Sequence, residues 1–198
     1  MRTLQQPLFT PETEWVPPER LPDLSSYSEI AIDLETRDPN LMTMGSGSVR
    51  RDGEVVGIAV AVEGWSGYFP IAHEGGGNMD RGLVLDWFEE LLQTTSTKIF
   101  HNAMYDVSWI RSLGFYINGG IIDTMIAASL IDENRFSYTL DSIGKDYIGM
   151  RKNENHVKEA AKDFGVNPKA EMWRLPAPFV GEYAEKDAEI TLKLWHAL

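Results

Sequence analysis

Short apolar runs in the first two thirds of the chain predict buried β-strands. Each run is three to eight residues long and is bounded by polar or turn-forming residues, which is typical of strands rather than helices. The runs lie at 29–34, 55–62, 67–70, 98–100 and 120–122. Asp52-Gly53, just before the second run, is a hairpin signal. We therefore expect the first three strands to be joined by hairpins.

Apolar residues recur at helical spacing in the segments between and after the later runs. We expect helices over 80–93, over 104–113, after Asp123, and across 138–198 with breaks at Gly149, Gly165 and 176–178. The last of these helices is expected over 179–198. Hairpins give antiparallel pairs, whereas helical crossovers give parallel ones. The pattern therefore predicts an α/β domain with a mixed sheet.

The N-terminal segment differs in composition from the rest. Five of the ten prolines lie in the first 22 residues. Proline fixes φ and removes a backbone donor, so 1–28 is predicted to be an extended arm and 29–198 the folded domain. The arm is either a plain linker or a segment that docks on a surface through Trp15 and Val16.

The chain has 198 residues and a formal net charge of −12. Phosphate-binding proteins normally carry a basic patch, so this charge argues against nucleic acid unless several carboxylates serve a metal site. The absence of cysteine excludes disulfides, thiolate metal ligands and thiol nucleophiles. No apolar run approaches the ~20 residues of a membrane span, and the N-terminus lacks the apolar core of a signal peptide. We expect a cytoplasmic protein.

Two carboxylates stand at the end of the first predicted strand. Asp33 and Glu35 are two positions apart, so on a strand both point to the same face. Adjacent carboxylates repel unless a cation lies between them, and Mg²⁺ prefers such oxygen ligands. Chance supplies about one Asp-x-Glu in a chain of this composition, and a second occurs at Asp187-Ala188-Glu189. Only the first ends an apolar strand, where active sites of α/β sheets usually lie.

Two further pairs extend this set. Asn102 and Asp106 follow the fourth predicted strand, while Tyr183 and Asp187 are one turn apart on the last helix. Taken singly, Asp106 is equally well explained by the preference for acidic residues at helix N-termini. The acidic residues of the last helix are equally typical of a solvated helix face. Each spacing occurs once, however, and their order fits a single cluster.

In this order the motifs resemble those of the DEDD (DnaQ-like) 3′–5′ exonucleases. Tyr183 resembles the tyrosine of the DEDDy branch. The other branch has a histidine one residue earlier, where this chain has Glu182. The stretches IAIDLET, GYFPIAH, IIDTMIAASLID, YTLDSIGKDYIG and YAEKDAEITLKLW resemble the proofreading domain of family A DNA polymerases, especially phage enzymes. The resemblance runs from about Glu29 to Leu198.

This resemblance implies a ribonuclease H-like α/β fold, a mixed five-stranded sheet flanked by helices, and removal of nucleotides from DNA 3′ ends with two divalent ions, Mg²⁺ or Mn²⁺. Carried over position by position, it gives the metal ligands Asp33, Glu35, Asp106 and Asp187, the water-orienting Tyr183, and the substrate contacts Thr36 and Asn102. The implied partners are a single-stranded or frayed DNA 3′ end and a polymerase domain in cis or in trans. The implied setting is a bacterial or phage-infected cytoplasm.

Two alternatives stay open: a free-standing DEDDy exonuclease acting on RNA, and a non-catalytic structural module of a polymerase. Segments 37–53 and 151–173 are longer than the family pattern, which leaves their substrate contacts open. The doublets Arg50-Arg51 and Arg151-Lys152 predict either a solvated surface or contact with the DNA backbone. The stretch HEGGG at 73–77 lacks the spacing and lysine of a P-loop, so it is expected to be a flexible connection.

Overall fold

The computed structural model describes residues 4–8 and 12–198. The strands are β1 (Glu29–Arg37), β2 (Glu54–Val62), β3 (Trp65–Pro70), β4 (Thr97–Phe100) and β5 (Ile121–Asp123). The helices are α1 (Leu41–Met44), α2 (Gly47–Arg50), α3 (Arg81–Gln93), α4 (Ala103–Ser112), α5 (Thr124–Ile131), α6 (Leu140–Ile148), α7 (Asn155–Phe164) and α8 (Gly181–Ala197).

In the described chain the five strands form one sheet with the order β3-β2-β1-β4-β5. β2 pairs antiparallel with both β1 and β3, whereas β4 pairs parallel with β1 and β5. The first three strands are consecutive along the chain, while β4 and β5 are reached through the helical crossovers α3 and α4. The predicted mixed α/β sheet is confirmed.

The side chains of β1 alternate between two cores, one on each face of the sheet. Ile30 and Ile32 are fully buried against residues of α3 and α4. Ala31 points the other way, into a core shared with α7 and α8. The strand therefore reads as a continuous apolar run because both of its faces are covered.

Small side chains bring α8 close to the sheet. Ala184 and Ala188 on α8 are fully buried in the same core as Ala31. An alanine-lined contact leaves no long side chain to hold helix and sheet apart. Asp33 and Glu35 continue the face of β1 that carries Ala31, so they face the side of the sheet that α8 covers.

Element boundaries differ from the prediction in a few places. β1 runs three residues beyond 34, so Glu35 as well as Asp33 lies within the strand. The predicted loop 37–53 contains α1 and α2, because Arg50 donates hydrogen bonds to the carbonyls of Met44, Gly45 and Ser46. Helices of four residues are also too short to leave a periodic signal in the sequence.

Two predicted helix breaks are confirmed. Gly149 ends α6 and Gly165 ends α7, each with a φ of 68°. A positive φ is cheap for glycine, which lacks a Cβ, and such a residue closes a helix by bonding back to its last turn. The final helix begins at Gly181, two residues later than expected, after a 3₁₀ turn over Ala177–Phe179.

The N-terminal arm packs on the domain rather than behaving as a plain linker. Thr13 donates to the carbonyl of Pro178 (3.0 Å), and Trp15 Nε1 donates to Glu185 on α8 (3.0 Å). Leu24 is buried in the core. Residues 1–3 and 9–11 lie outside the described part of the arm. The division of the chain at residue 28 stays a prediction.

Candidate active site

The seven residues predicted for the site line one cavity of about 440 Å³. They come from three elements, β1, α4 and α8, and from the residues that join them to the sheet. The members are Asp33, Glu35, Thr36, Asn102, Asp106, Tyr183 and Asp187. The fold therefore brings together motifs that are separated by up to 154 positions in the sequence.

The first pair of carboxylates is placed by β1. Asp33 pairs with Ala59 and Glu35 with Gly57 on β2, and the ladder shifts register between Glu35 and Thr36. Such a bulge bends a strand and changes the direction of the side chains that follow, and bulges are common beside active sites. Asp33 and Glu35 are mostly buried and keep a minor exposed fraction.

The third carboxylate is fixed by a bond between helix and strand. Asp106, in the first turn of α4, is 5% exposed, and its Oδ1 accepts a hydrogen bond from the backbone of Leu34 (3.1 Å). Just before the helix, Asn102 has a φ of 69°, and its N–H donates to Asp123 (3.1 Å). The Ala103 N–H donates to the same carboxylate (2.8 Å). Asp123 on β5 thus holds the start of α4 beside β1.

The fourth carboxylate and the tyrosine stand one turn apart on α8. Asp187 is 2% exposed and Tyr183 lines the cavity above it. Within the described residues, Oδ1 of Asp187 has no hydrogen-bond partner. Burying a carboxylate oxygen without a partner is costly unless a cation or ligand satisfies it.

Lys152 is a member of the site that sequence reasoning missed. Its ammonium donates to Oδ2 of Asp187 in a short ion pair and to the hydroxyl of Tyr183 (3.3 Å). The backbone N–H of Lys152 donates to Asp141 on α6 (3.2 Å), which anchors the residue. In the sequence, Lys152 stands out only as part of the basic doublet with Arg151, which was predicted to face solvent or the DNA backbone. One of its two members enters the carboxylate cluster instead.

Burial and mutual repulsion raise the pKa values of the carboxylates. Burial, together with Asp33 and Asp187, raises the pKa of Glu35 to about 8, and burial raises that of Asp187 to about 7 against the opposing effect of Lys152. The pKa values of Asp33 and Asp106 are also raised by burial. Burial opposes the charge on Lys152, but Asp187 and its neighbours outweigh it and raise the lysine pKa. The lysine therefore stays charged at neutral pH.

Tyr105 is a second residue that the sequence did not single out. Its hydroxyl donates to Oδ2 of Asp38 (3.1 Å) and lies 2.7 Å from Oγ1 of Thr36. Because the tyrosine proton is used on Asp38, the Thr36 hydroxyl donates to Tyr105. These two hydrogen bonds fix Thr36 on the cavity wall. Its only sequence clue is the position of Tyr105 directly before Asp106.

His101 also lines the cavity, at the end of β4. Its Nδ1 lies 2.9 Å from Oγ1 of Thr124. Burial lowers the pKa of His101 to about 4, so the ring is neutral at pH 7. A neutral ring tied to the first residue of α5 supports the cavity wall and adds no charge to the cluster.

The donor set fits a hard divalent cation. Carboxylate oxygens are the ligands that Mg²⁺ prefers, and Asp187 Oδ1 is a buried acceptor in need of a partner. Within the described residues, no three acidic or histidine side chains converge closely enough to form a finished metal site. The positive charge among these carboxylates is supplied by the ammonium of Lys152. The cluster thus offers oxygen donors to a cation and already contains one positive charge, the ammonium of Lys152.

This fold is the ribonuclease H-like architecture, a mixed five-stranded sheet flanked by helices. The family described as 3′–5′ exonuclease has a sequence model that matches residues 17–198. The chain belongs to that family, the proofreading exonuclease domain of family A DNA polymerases, whose members depend on divalent metal ions.

The relatives are polymerases. A DNA-directed DNA polymerase of Pseudomonas phage M6 is 38% identical over 98% of this chain, which spans 30% of that protein. DNA polymerase I of Pseudomonas aeruginosa is 29% identical over 90% of this chain, which spans 19% of its length. The chain therefore corresponds to less than a third of the relatives it matches.

Solved nucleases share the fold. Brucella melitensis NrnC superposes with a TM-score of 0.58 at 19% identity, covering 88% of this chain and 73% of its own, and it is also known with bound Mg²⁺. Escherichia coli RNase D, an exoribonuclease involved in structured RNA processing, superposes with a TM-score of 0.54 at 16% identity, covering 87% and 40%. At these identities the likeness shows the architecture alone.

No helix within 4–8 and 12–198 combines the length and the apolar character needed to cross a membrane.

Proposed function

We propose that this chain removes nucleotides from the 3′ end of DNA, using two divalent ions, Mg²⁺ or Mn²⁺. The observation that carries the proposal is the single cavity in which carboxylates from β1, α4 and α8 meet beside Tyr183. Four carboxylates bring a charge of −4, which two divalent ions balance. Without that balance, burying so many like charges together is strongly unfavourable.

The proposed ligands divide between two positions. Asp33, Glu35 and Asp187 hold one ion, while Asp33 with Asp106 holds the second. When bound, the pair of ions activates water and stabilises the departing oxygen. Burial raises the pKa of Tyr183, so its hydroxyl stays protonated and orients the attacking water through a hydrogen bond.

The terminal nucleotide is proposed to lie along the wall that carries Thr36 and Asn102. The Thr36 hydroxyl is held by Tyr105, which reduces the cost of ordering it on binding. Asn102 precedes α4, and its side chain does not cap that helix. Both residues line the same cavity as the carboxylates, within reach of one bound nucleotide.

We further propose that a polymerase domain in cis delivers the 3′ end. The relatives that match this chain are polymerases several times its length. The net charge of −12 opposes strong binding of DNA by this region alone, since few phosphates find a lysine or arginine. A domain that receives its substrate from a neighbour needs little affinity of its own.

Matched DNA and RNA oligonucleotides test the substrate. A 5′-labelled single strand of each is incubated with the protein in Mg²⁺ and in EDTA. We expect a ladder of products shortened from the 3′ end in Mg²⁺ only, at least ~10-fold faster on DNA than on RNA. Faster digestion of RNA would favour the RNA nuclease alternative, because the two strands differ in the 2′-hydroxyl. No digestion of either strand in Mg²⁺ or Mn²⁺ would favour the non-catalytic module.

A further inference from the structure

The ammonium of Lys152 lies inside the cavity that the carboxylates line, and it is paired with Asp187. It contacts Asp187 and Tyr183, and the charges of Asp33 and Glu35 also act on it. Its side chain is only 21% exposed. Buried cations are found where they are paired, and here the partner is the carboxylate whose other oxygen is unsatisfied. One oxygen of Asp187 is thus paired with the lysine, and the other is a buried acceptor without a hydrogen-bond partner among the described residues.

We propose that Lys152 is a resident counter-ion: it holds the place of a divalent ion in the metal-free domain, and an ion binds at Asp187 only by displacing it. The inference rests on the proposed metal-dependent function. Its consequence is that the affinity of the site for metal is set by a competition within the chain, and not by the carboxylates alone.

The surroundings of Lys152 allow such an exchange. The residue lies between α6 and α7, outside any helix or strand. Its backbone is tied by the hydrogen bond to Asp141, so the four-carbon side chain can swing while its Cα stays in place. A divalent ion brings twice the charge of an ammonium to the same oxygens, so exchange is favourable once the ion has lost part of its hydration shell.

The chain offers a matched control. Lys169 also lines the cavity, but it is exposed, and no carboxylate of the cluster pairs with it. Removing its charge changes the field at the cavity mouth and leaves the cluster intact. Any effect that depends only on net positive charge near the site will therefore appear in both Lys152→Met and Lys169→Met.

Mg²⁺ binding measured by isothermal titration calorimetry at pH 8.5 tests the proposal, since that pH lies above the pKa of about 8 of Glu35, and most of that carboxyl is ionised. Lys152→Met, which keeps most of the length of the side chain and removes its charge, is expected to bind Mg²⁺ on the order of tenfold more tightly than the wild type. Lys152→Arg, which keeps the charge, and Lys169→Met are expected to stay within about twofold of it. Circular dichroism in EDTA confirms that each variant is folded.

A second measurement is made on the wild-type protein and uses one variant only to assign a signal. In protein labelled with ¹³C at lysine Cε, the Lys152 signal, assigned by its loss in Lys152→Arg, should shift during a Mg²⁺ titration with the midpoint seen by calorimetry. The other lysine signals should not move with that midpoint. A Lys152 signal that stays fixed while Mg²⁺ binds overturns the exchange.

The outcomes separate this inference from the proposed function. Equal or weaker Mg²⁺ affinity in Lys152→Met than in the wild type overturns the counter-ion role and leaves the metal site standing. Loss of binding in Asp187→Asn, together with tighter binding in Lys152→Met, supports both. Absence of Mg²⁺ binding in both the wild type and Lys152→Met overturns the metal site and the inference with it.

Discussion

At the scale of single residues, ionisation of Glu35 lowers the stability of the folded domain. Its pKa rises from 4.5 to about 8 because it is buried and faces Asp33 and Asp187. Between those two pH values the folded state holds a proton that the unfolded state has released. The stability this group contributes is therefore complete below pH ~4.5 and is lost as the pH rises toward 8. Divalent ions remove the conflict by neutralising the same carboxylates.

The variant Glu35→Gln isolates this effect. In EDTA, we expect the melting temperature of the wild type to fall between pH 6 and pH 8 by at least ~3 °C more than that of Glu35→Gln, because glutamine carries no proton to lose. Differential scanning calorimetry at several pH values measures the difference. If the melting temperatures of the two proteins changed with pH in parallel, ionisation of Glu35 would not lower the stability of the folded state.

At the scale of elements, α8 organises the molecule. One face of it packs its alanines on the sheet, and the adjoining positions carry Tyr183 and Asp187 into the cavity. Its first turn also receives the arm: Trp15 lies so close to Gly181 that a Cβ there would meet the indole at 2.0 Å. Glu185 accepts hydrogen bonds from both Trp15 and the backbone of Tyr68 on β3. The arm, α8 and the sheet are thus joined at one point.

Trp15→Ala tests whether the arm stabilises α8. We expect a loss of about 2–3 kcal/mol in the free energy of unfolding, somewhat below the cost of deleting a fully buried tryptophan, because the side chain is partly exposed. Urea unfolding measures it. Val16→Ala is the control: Val16 is 73% exposed, so its loss should stay below ~0.5 kcal/mol. Equal effects of the two changes would mean that the arm does not dock in solution.

At the scale of the whole molecule, patterns that are local in sequence predicted most of the fold. The alternation of β1 and the turn spacing of Tyr183 and Asp187 are local, so the strand, the helix and the shared faces of their carboxylates could be predicted. Collecting those carboxylates in one cavity depends on β1 lying at the centre of the sheet, between β2 and β4. The order of hairpins and crossovers indicated a mixed sheet, and the family resemblance indicated its architecture.

Features that depend on distant contacts were missed or, for the docking of the arm through Trp15, left as one of two alternatives. Lys152 meets Asp187 across 35 positions, and a basic doublet is typical of solvated surfaces as well. The docking of Trp15 on Glu185 spans 170 positions. Helices α1 and α2 are too short for a periodic signal and depend on the contacts of Arg50 with their carbonyls. The contacts of Lys152 and Trp15 are tertiary, whereas those of Arg50 are local and are missed because a single side chain makes them.

A variant series on a 5′-labelled oligonucleotide in saturating Mg²⁺ tests most directly whether the four carboxylates support hydrolysis at a DNA 3′ end. Asp33→Ala and Asp187→Ala should lower the rate more than ~10³-fold, since each removes a metal ligand. Tyr183→Phe should lose about 10- to 100-fold, because it only orients water. Asp86→Ala, an exposed carboxylate on α3, should match the wild type. Full activity in Asp33→Ala or Asp187→Ala would contradict the account.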